Sequence, residues 1–423
     1  MRARLIRLLL AGLACVTLAA CAELQLEPDP PAPTPQVAVR TTPPPASPVC
    51  PAPAPAPAPR AAREPAPSAS RADSVSGSWF DLRAQGLSSW NDLRTPLRRS
   101  LSFLESRPAG TEAVRRGCFR PTWGQLAESA RELLELLPRL DAEPQLLAER
   151  FLWLAVQPGP VMTAYYTPEI PASLTRRKGY EHPLYGPPPE LAQADEPGML
   201  PAWPGAAPEG PARGASDSAT GTLAGRGLEI AWARDPLDVF FMQVEGSGIL
   251  RLPDGRHKTA QYAASNGRRF RSLGDILAER GLLAPEQRSR KAVRRFFRDN
   301  PHMARELMAE NRRFVFFRLD DGPPVGALGK PLTPFVSVAT DPNLLPLGSV
   351  LILEAETPDP SGRGTRRIRG PVLPQDVGSA IKGARLDFYM GEGGVVEEAA
   401  DRVKNRVTAY MLLSKSALAR GSR

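Results

Sequence analysis

The chain has 423 residues, with 54 lysines and arginines against 45 aspartates and glutamates, so its formal net charge is +9. This modest basic excess suits the surface of an anionic polymer. The 3 histidines and 4 cysteines do not fall at metal-ligand spacing, so we expect no metal site. The sequence has no P-loop, no G-x-S-x-G turn and no G-x-G-x-x-G that opens a helix. Nucleotide and serine-hydrolase chemistry therefore lack a motif, and we expect no cofactor.

The N-terminus reads as a targeting segment. Three arginines (Arg2, Arg4 and Arg7) precede an apolar stretch at residues 8–20 that is short for a membrane span. It ends in Leu18-Ala19-Ala20-Cys21, which resembles a bacterial lipobox. We expect residues 1–20 to be a signal peptide and Cys21 to carry lipid; an ordinary secretory signal is the alternative. Alanine at position 22, where aspartate resembles an inner-membrane retention signal, favours the periplasmic side of the outer membrane, with the lipid as the only membrane contact.

Residues 21–75 are rich in proline and alanine and cannot bury a core. Such a composition favours extended polyproline, so we predict a semi-rigid tether. Cys50 lies in this tether, and the sequence leaves open whether it forms a disulfide with Cys118.

The body begins with helical patterns and continues with short strands. Thr122 is placed to cap a helix that stops near Pro138, and a second helix is predicted from Pro144 through Trp153. Strands are predicted at 228–232, 239–244, 314–317 and 350–353, helices at 273–277 and 291–308, and a surface insertion at 186–225. We expect the basic residues of the second of these helical stretches to form a solvated face, or else to contact an anionic polymer: Lys291, Arg294, Arg295 and Arg298. Many short strands favour a mainly β, barrel-like fold over a doubly wound sheet.

Two aspartates stand out in the glycine-punctuated, apolar run of residues 375–391. Asp376 and Asp387 lie among apolar neighbours, where an ionised carboxylate is costly to bury. Such a run predicts a strand tip or tight turn that delivers one carboxyl into a cleft. There its pKa would rise and make it a proton donor at neutral pH. The alternative is an aspartate that caps a turn. Lys382 and Arg385 would oppose the rise if they pointed inward.

Five motifs in the order of one family give the chain a resemblance to membrane-bound lytic murein transglycosylase A, over about residues 145–415. The motifs are Thr163-Ala164-Tyr165-Tyr166-Thr167-Pro168; the segment 240–248, which ends in Gln243-Val244-Glu245-Gly246-Ser247-Gly248; Tyr262 to Asn266-Gly267; Leu332-Thr333-Pro334 with Asp341 and Pro346-Leu347-Gly348; and the pair Asp376 and Asp387. Three positions depart from the family pattern: Ala164 replaces a glycine, Glu245 replaces a glutamine, and residues 395–399 match the ending loosely.

The resemblance implies a fold and a set of site residues. It implies a double-psi β-barrel made of residues 76–170, with their N-terminal helices, and 311–415, an inserted second β-barrel at 171–310, and a tail at 416–423. The polymer would bind in the groove between the barrels. Asp387 would be the catalytic residue, with Asp341 and Asp376 supporting it. The implied substrate-binding residues are Tyr165, Tyr166, Gln243, Glu245, Gly246, Ser247, Gly248, Tyr262 and Asn266; the tyrosines could instead belong to the core.

The implied activity is lytic cleavage of the β-1,4 bond between MurNAc and GlcNAc in peptidoglycan. One aspartate would act as acid and then base, leaving a 1,6-anhydro-MurNAc end. Glycan strands are the expected partner and nucleic acid is not; cell-wall synthesis or division proteins as partners stay undetermined. Two alternatives remain. One is a lipoprotein that binds peptidoglycan without cutting it, and the other is a hydrolase that uses Glu245 as a second carboxylate.

Overall fold

The computed structural model describes residues 79–115, 119–192, 223, 225–362 and 364–421. The predicted signal peptide, Cys21, the tether with Cys50, Cys118 and most of the predicted 186–225 insertion lie outside these residues. Across the described part of the chain, the structure has no helix with the length and apolar character needed to cross a bilayer.

The secondary structure is a set of short strands with helices between them. The helices are α1 Arg94–Glu105, α2 Trp123–Leu136, α3 Leu146–Arg150, α4 Pro189–Ala192, α5 Pro236–Glu245, α6 Leu273–Glu279, α7 Arg290–Asp299, α8 Ala304–Ala309, α9 Gly394–Asp401 and α10 Lys415–Gly421. Short 3₁₀ turns occur at Arg83–Gln85, Trp90–Leu93 and Pro301–Met303. The strands are β1 Phe151–Ala155, β2 Val161–Thr167, β3 Glu169–Ser173, β4 His182–Tyr185, β5 Glu229–Ala233, β6 Gly248–Arg251, β7 His257–Ser265, β8 Val315–Asp320, β9 Ser337–Ala339, β10 Leu351–Pro358, β11 Thr365–Asp376, β12 Arg385–Glu392, β13 Lys404–Arg406 and β14 Thr408–Ser414.

The strands form two sheets. The first has eight strands in the order β1-β14-β10-β11-β9-β12-β2-β13, and the second has six in the order β4-β5-β3-β6-β7-β8. The first sheet therefore combines strands from both ends of the body, while the second is built from the residues between them. The mainly β prediction is confirmed. The described strands follow a linear order in each sheet, so neither expected barrel is seen to close.

The first sheet carries the largest core. Helix α2 packs on β14 and α1 packs on α2, and the joint core includes Leu97, Leu133, Phe151 and Leu412. Helix α2 begins where the sequence predicts, because the Thr122 hydroxyl accepts a hydrogen bond from the backbone N–H of Gln125 and the Gln125 side chain accepts one from the N–H of Thr122.

Two predicted elements are wrong in type. Residues 239–244 belong to helix α5 and not to a strand. Asp235 caps this helix by accepting a hydrogen bond from the N–H of Leu237, and Pro236 occupies its first turn. The helix predicted from Pro144 ends at Arg150, and Phe151–Ala155 pairs with β14 as strand β1. Both runs are apolar enough for either structure, so their periodicity alone does not separate helix from strand.

The other predicted elements are confirmed in type. Strands β5, β8 and β10 and helix α6 lie at the predicted places. The predicted 291–308 helix is broken at Asn300 into α7, a 3₁₀ turn and α8. On α7, Lys291, Arg295 and Arg298 are exposed as predicted. Arg294 is a correction, because it is half-buried and pairs with Asp238 at 2.8 Å.

Gln375 fixes α1 to the strand that ends in Asp376. Its buried amide donates to the carbonyl oxygen of Pro96 at 2.8 Å and to the Ser100 hydroxyl at 2.9 Å. Its oxygen accepts from the Ser337 hydroxyl at 2.7 Å. The three bonds join α1, β9 and β11 at a point where water is excluded.

We expect Gln375→Leu to lower the free energy of unfolding by about 3 kcal/mol or more. The change removes three buried hydrogen bonds, each contributing about 0.5–1.5 kcal/mol, and leaves buried polar groups of Pro96, Ser100 and Ser337 with one bond fewer. The matched control is Gln287→Leu at an exposed position, with an expected change within about 0.5 kcal/mol. Chemical unfolding of both variants measures the difference, and equal stabilities would contradict this account.

Candidate active site

The two aspartates of the 375–391 run flank one short strand. Strand β9 lies between β11 and β12, and its Ala339 is in register with Asp376 on one side and with Asp387 on the other. On the far side of β12, Thr163 of β2 is in register with Asp387. The sheet therefore carries a row that reads Asp376, Ala339, Asp387, Thr163. Neighbouring strands lie about 4.8 Å apart, so the two aspartates are about 10 Å apart at their Cα atoms.

The surroundings of Asp387 favour the protonated form of its carboxyl. It lies within β12 between Leu386 and Phe388, whose side chains are fully buried. Burial raises the pKa of Asp387 to about 7. The Thr163 hydroxyl, which donates to Oδ1 at 2.5 Å, opposes this rise. The carboxyl is thus substantially protonated at neutral pH. The predicted strand tip fits Asp376, which ends β11, but not Asp387, which lies inside β12.

Asp376 is held by three donors. The Tyr165 hydroxyl donates to Oδ2 at 2.7 Å, and the N–H groups of Ala327 and Val377 donate to Oδ1 at 3.0 and 2.9 Å. Burial raises the pKa of Asp376 to about 6 even though these bonds favour the charged form. With these acceptor sites taken, Asp376 is better placed to hold the site than to exchange a proton with a substrate.

Asp341 supports the segment that leads into β12. It accepts hydrogen bonds from the Gly383 N–H at 2.8 Å and from the Asn343 N–H and amide at 3.1 Å each. Burial raises the pKa of Asp341, but these bonds and the charge of Lys382 outweigh burial and hold it below its usual value. Asp341 is therefore a permanent anion with a structural task. The backbone N–H of Thr340, the residue before Asp341, donates to the backbone oxygen of Asp376 at 3.1 Å. This bond links Asp341 to the row that contains the other two aspartates.

Arg385 is the cation whose charge opposes the rise in the pKa of Asp387. Its guanidinium donates to the Ala380 carbonyl oxygen at 3.2 Å and to the Thr163 hydroxyl at 3.4 Å. Its charge lowers the pKa of Asp387, but by less than burial raises it. Its buried Nε has no hydrogen-bond partner among the described atoms, so the guanidinium is not fully satisfied.

The three predicted sugar-stacking tyrosines lie in different surroundings. Tyr165 is half-buried and holds Asp376. Tyr166 is fully buried in the core of the first sheet, which is the alternative that the sequence left open. Tyr262 lies on β7 of the second sheet with 38% of its surface exposed. Of the three, Tyr262 is the most exposed and therefore the best suited to stack on a sugar ring.

Glu245 ends helix α5 and is committed to an ion pair. Its side chain is 3% exposed and pairs with Arg290 of α7, while its Oε2 accepts the N–H of Tyr166 at 3.3 Å. Burial raises the pKa of Glu245, and Arg290 opposes this by favouring the carboxylate. A carboxylate with these contacts is poorly placed to activate a water molecule. The contacts favour a structural role over the predicted direct binding of sugar.

The residues around Glu245 form a tight helix-to-strand turn. Gln243 is buried on α5, and Gly246 caps the helix at φ +83°. Ser247 is half-buried, and Gly248 opens β6 with no room for a Cβ, since one would lie 2.4 Å from the Met242 Cε. The glycines are thus explained by backbone geometry.

Asn266 acts as a clamp at the end of β7. Its amide donates to the Arg312 carbonyl oxygen at 2.8 Å, and its Oδ1 accepts the N–H groups of Phe314 at 2.9 Å and Arg268 at 3.3 Å. These bonds fasten the loop after β7 to the start of β8. An asparagine at this position is therefore explained by its hydrogen bonds to the backbone.

Three residues of the site were not singled out from sequence. Thr163 was visible as the first residue of its motif, but its role as the hydrogen-bond donor to Asp387 depends on strand register. Ala339 carries no chemical signal of its own. Gln261 is buried on β7 and bonds the Pro323 oxygen at 2.9 Å and the Val325 N–H at 3.2 Å. It thereby supports the loop whose Ala327 N–H reaches Asp376.

No cluster of three or more His, Cys, Asp or Glu side chains that could hold a metal ion occurs within the part of the chain that the structure describes. The carboxyls of the row are instead satisfied by hydroxyl and backbone donors.

Two family models match the chain. The model described as the MltA specific insert domain matches residues 161–318, and the model described as the 3D domain matches residues 336–413. Together they include Thr163, Glu245, Asp376 and Asp387.

Curated relatives carry one name. The chain is 34% identical over 236 residues to membrane-bound lytic murein transglycosylase A of Escherichia coli (strain K12), which covers 55% of this chain and 59% of that protein. It is 37% identical over 178 residues to the Vibrio cholerae protein of the same name, covering 41% and 48%. The aligned parts therefore span less than two thirds of these relatives.

Solved structures extend the match. The crystal structure of a membrane-bound lytic murein transglycosylase from Agrobacterium tumefaciens has a TM-score of 0.62 and 30% identity, and the match covers 78% of this chain and 96% of that one. The crystal structure of E. coli MltA with bound chitohexaose has a TM-score of 0.60 and 25% identity, covering 76% and 90%. The chain therefore belongs to the membrane-bound lytic murein transglycosylase A family.

Proposed function

We propose that this protein is a lytic transglycosylase that cleaves the β-1,4 bond between MurNAc and GlcNAc in peptidoglycan. The observation that carries the proposal is Asp387, a carboxyl within a strand whose pKa is raised to about 7. It donates or accepts a proton at neutral pH, as an acid–base catalyst must. The family membership and the chitohexaose bound to the E. coli relative support a glycan as the substrate.

Asp387 performs both proton transfers in this reaction. Its carboxyl proton moves to the glycosidic oxygen as the bond from that oxygen to the MurNAc C1 breaks, which releases the GlcNAc 4-hydroxyl. The MurNAc C6 oxygen then bonds to C1, and its hydroxyl proton moves to the Asp387 carboxylate. The product is a 1,6-anhydro-MurNAc end and the carboxyl is protonated again. The Thr163 hydroxyl and the Arg385 charge support the ionised form between the two steps.

The contacts of the other acids disfavour the hydrolase alternative. A glycoside hydrolase needs a second carboxylate as nucleophile or base. Glu245 is paired with Arg290, and Asp376 accepts three hydrogen bonds. Asp341 is held by Gly383 and Asn343. Each candidate is therefore engaged by the protein, and the C6 hydroxyl of the substrate is the nucleophile that remains.

We further propose the finer architecture implied by the family. Residues 76–170 and 311–415 would form a double-psi β-barrel, residues 171–310 would form the inserted barrel, and the glycan would lie in the groove between them. The location of Asp387 and Asp376 in the first sheet and of Tyr262 in the second supports this arrangement.

The protein would be anchored by lipid on Cys21 to the periplasmic side of the outer membrane, with residues 21–75 as its tether. The relatives are named membrane-bound, and the lipobox supports this anchor. We expect Cys21→Ser to move the protein from the membrane fraction to the soluble periplasm. A Cys21→Ser protein that stays with membranes after a salt wash would show another means of attachment.

We expect Asp387→Asn to fold and to lose activity by about 10²-fold to 10⁴-fold or more, because the residue serves as acid and base. The assay is the release of soluble fragments from purified sacculi, followed by identification of their ends. The parent should yield 1,6-anhydro ends, and a hydrolase would yield reducing ends.

Asp321→Asn, at a side chain that is 80% exposed, serves as the control and should retain full activity. Asp376→Asn and Asp341→Asn should lose less activity than Asp387→Asn, or lose it through a lower melting temperature. A folded Asp387→Asn protein within tenfold of the parent would refute the mechanism, and a parent without cleavage would favour the binding-only alternative.

A further inference from the structure

Two arginines of α7 each join α5 to α9. The first is Arg290, which pairs with Glu245 at the end of α5 and with Asp401 of α9 at 2.9 Å. The backbone N–H of Arg290 also donates to Asp401 at 3.0 Å. We call the set Glu245–Arg290–Asp401 the first rung.

The second arginine repeats this pattern one helical turn along. Arg294 pairs with Asp238 of α5 at 2.8 Å and with Glu397 of α9 at 3.6 Å. The Phe241 ring contacts both guanidinium groups, with centroid distances of 5.3 Å to Arg290 and 4.8 Å to Arg294. We call Asp238–Arg294–Glu397 the second rung. The two rungs connect a helix before β6 to a helix that follows β12.

The spacing of the rungs follows from helix geometry. Four residues separate the arginines on α7 and the acids on α9, and seven separate the acids on α5, which corresponds to one, one and two turns. The six charged side chains are between 3% and 27% exposed. Ion pairs with so little exposure are weakly screened by salt and costly to break from one side.

The first rung contacts the strand that carries Thr163 at both the backbone and the side chain of Tyr166, whereas the second rung reaches only the Tyr166 side chain, through Glu397. Glu245 accepts the backbone N–H of Tyr166, and Arg290 donates to the Tyr166 hydroxyl at 3.2 Å and lies over its ring at 5.2 Å. Tyr166 lies three residues after Thr163 and one after Tyr165, which bind the two aspartates. Because side chains alternate along a strand, Tyr166 lies on the face of β2 opposite Thr163 and Tyr165, and the first rung holds β2 from that face.

The charge of Glu245 is also felt at Asp387. It is one of two acids, with Asp376 of β11, whose charge raises the pKa of Asp387 beyond the effect of burial, while Arg385 of β12 lowers it. The other titratable groups that face the row are Tyr165 of β2 and Tyr389 of β12, and Lys404 of β13 is in register with Thr163. Asp238 is not among the charges that dominate this rise.

We propose that Glu245 is a positioning residue: its carboxylate, held by Arg290, fixes β2 and thereby the electrostatic surroundings of Asp387 on the neighbouring strand. The proposal rests on the proposed function, because it concerns the acid of that reaction. It also explains how a charge is tolerated where the family pattern has a neutral amide, since Arg290 and Asp401 complete the network around it.

The test is the pH dependence of kcat/KM on sacculi for the purified full chain. Activity requires the protonated acid, so it falls as the pH rises through the pKa of Asp387. Glu245→Gln removes a negative charge that favours the proton, so this alkaline limb should move to lower pH by roughly half a unit or more. Asp238→Asn, which breaks the equivalent pair of the second rung, should leave the limb in place.

If Glu245→Gln is too unstable to purify, combining it with Arg290→Gln and Asp401→Asn removes all three charges of the first rung, whose net charge is −1, and leaves none of them unpaired. The limb should move in the same direction. If the alkaline limb of an active Glu245→Gln variant is unshifted, or if Asp238→Asn shifts the limb equally, this inference is wrong and the proposed function still stands. A loss of more than a thousandfold at every pH would also overturn it, by placing Glu245 in the chemistry. A parent that releases no 1,6-anhydro ends would overturn the proposed function instead.

Discussion

The register of β9 is the constraint on which the site depends. Ala339 pairs with both Asp376 and Asp387, so a three-residue strand sets the spacing of the two carboxyls. Ala339 is buried and places only a methyl side chain between the two aspartates. Because successive side chains alternate between faces of a sheet, a slip of one residue would turn either aspartate to the opposite face. Gln375, Ser337 and the α1 backbone lock this register with buried hydrogen bonds.

The three aspartates differ in chemistry because their hydrogen-bond donors differ. Asp341 has backbone and amide donors on both oxygens, which hold its pKa low despite burial. Asp376 has three donors and a pKa of about 6, whereas Asp387 has the Thr163 hydroxyl and a pKa of about 7. The acid is thus the aspartate with the least stabilised anion. Environments that separate the pKa values of like groups are a general means of assigning roles in an active site.

Sequence reasoning identified what depends on short-range chemistry. The Thr122 cap and the helix at Leu273 follow from local pattern, whereas the role of Asp387 was implied by the resemblance to a family. Sequence reasoning failed at α5, where burial on all sides removes the hydrophobic periodicity of a helix. Asp235 followed by Pro236 was a usable signal for the start of this helix. The ion pair of Arg294 with Asp238 spans 56 positions and the contact of Glu245 with Tyr166 spans 79. Such pairs depend on tertiary packing, which one sequence does not specify.

Titration of the Asp387 carboxyl in the folded protein tests the account most directly. Aspartate carboxyl carbons can be labelled with ¹³C and followed by NMR or infrared spectroscopy from pH 4 to pH 9, with Asp387→Asn assigning the signal. We expect one carboxyl to titrate near pH 7 and to vanish in that variant. A signal for Asp387 that titrates near pH 4 would contradict the claim that this carboxyl holds its proton until the substrate receives it.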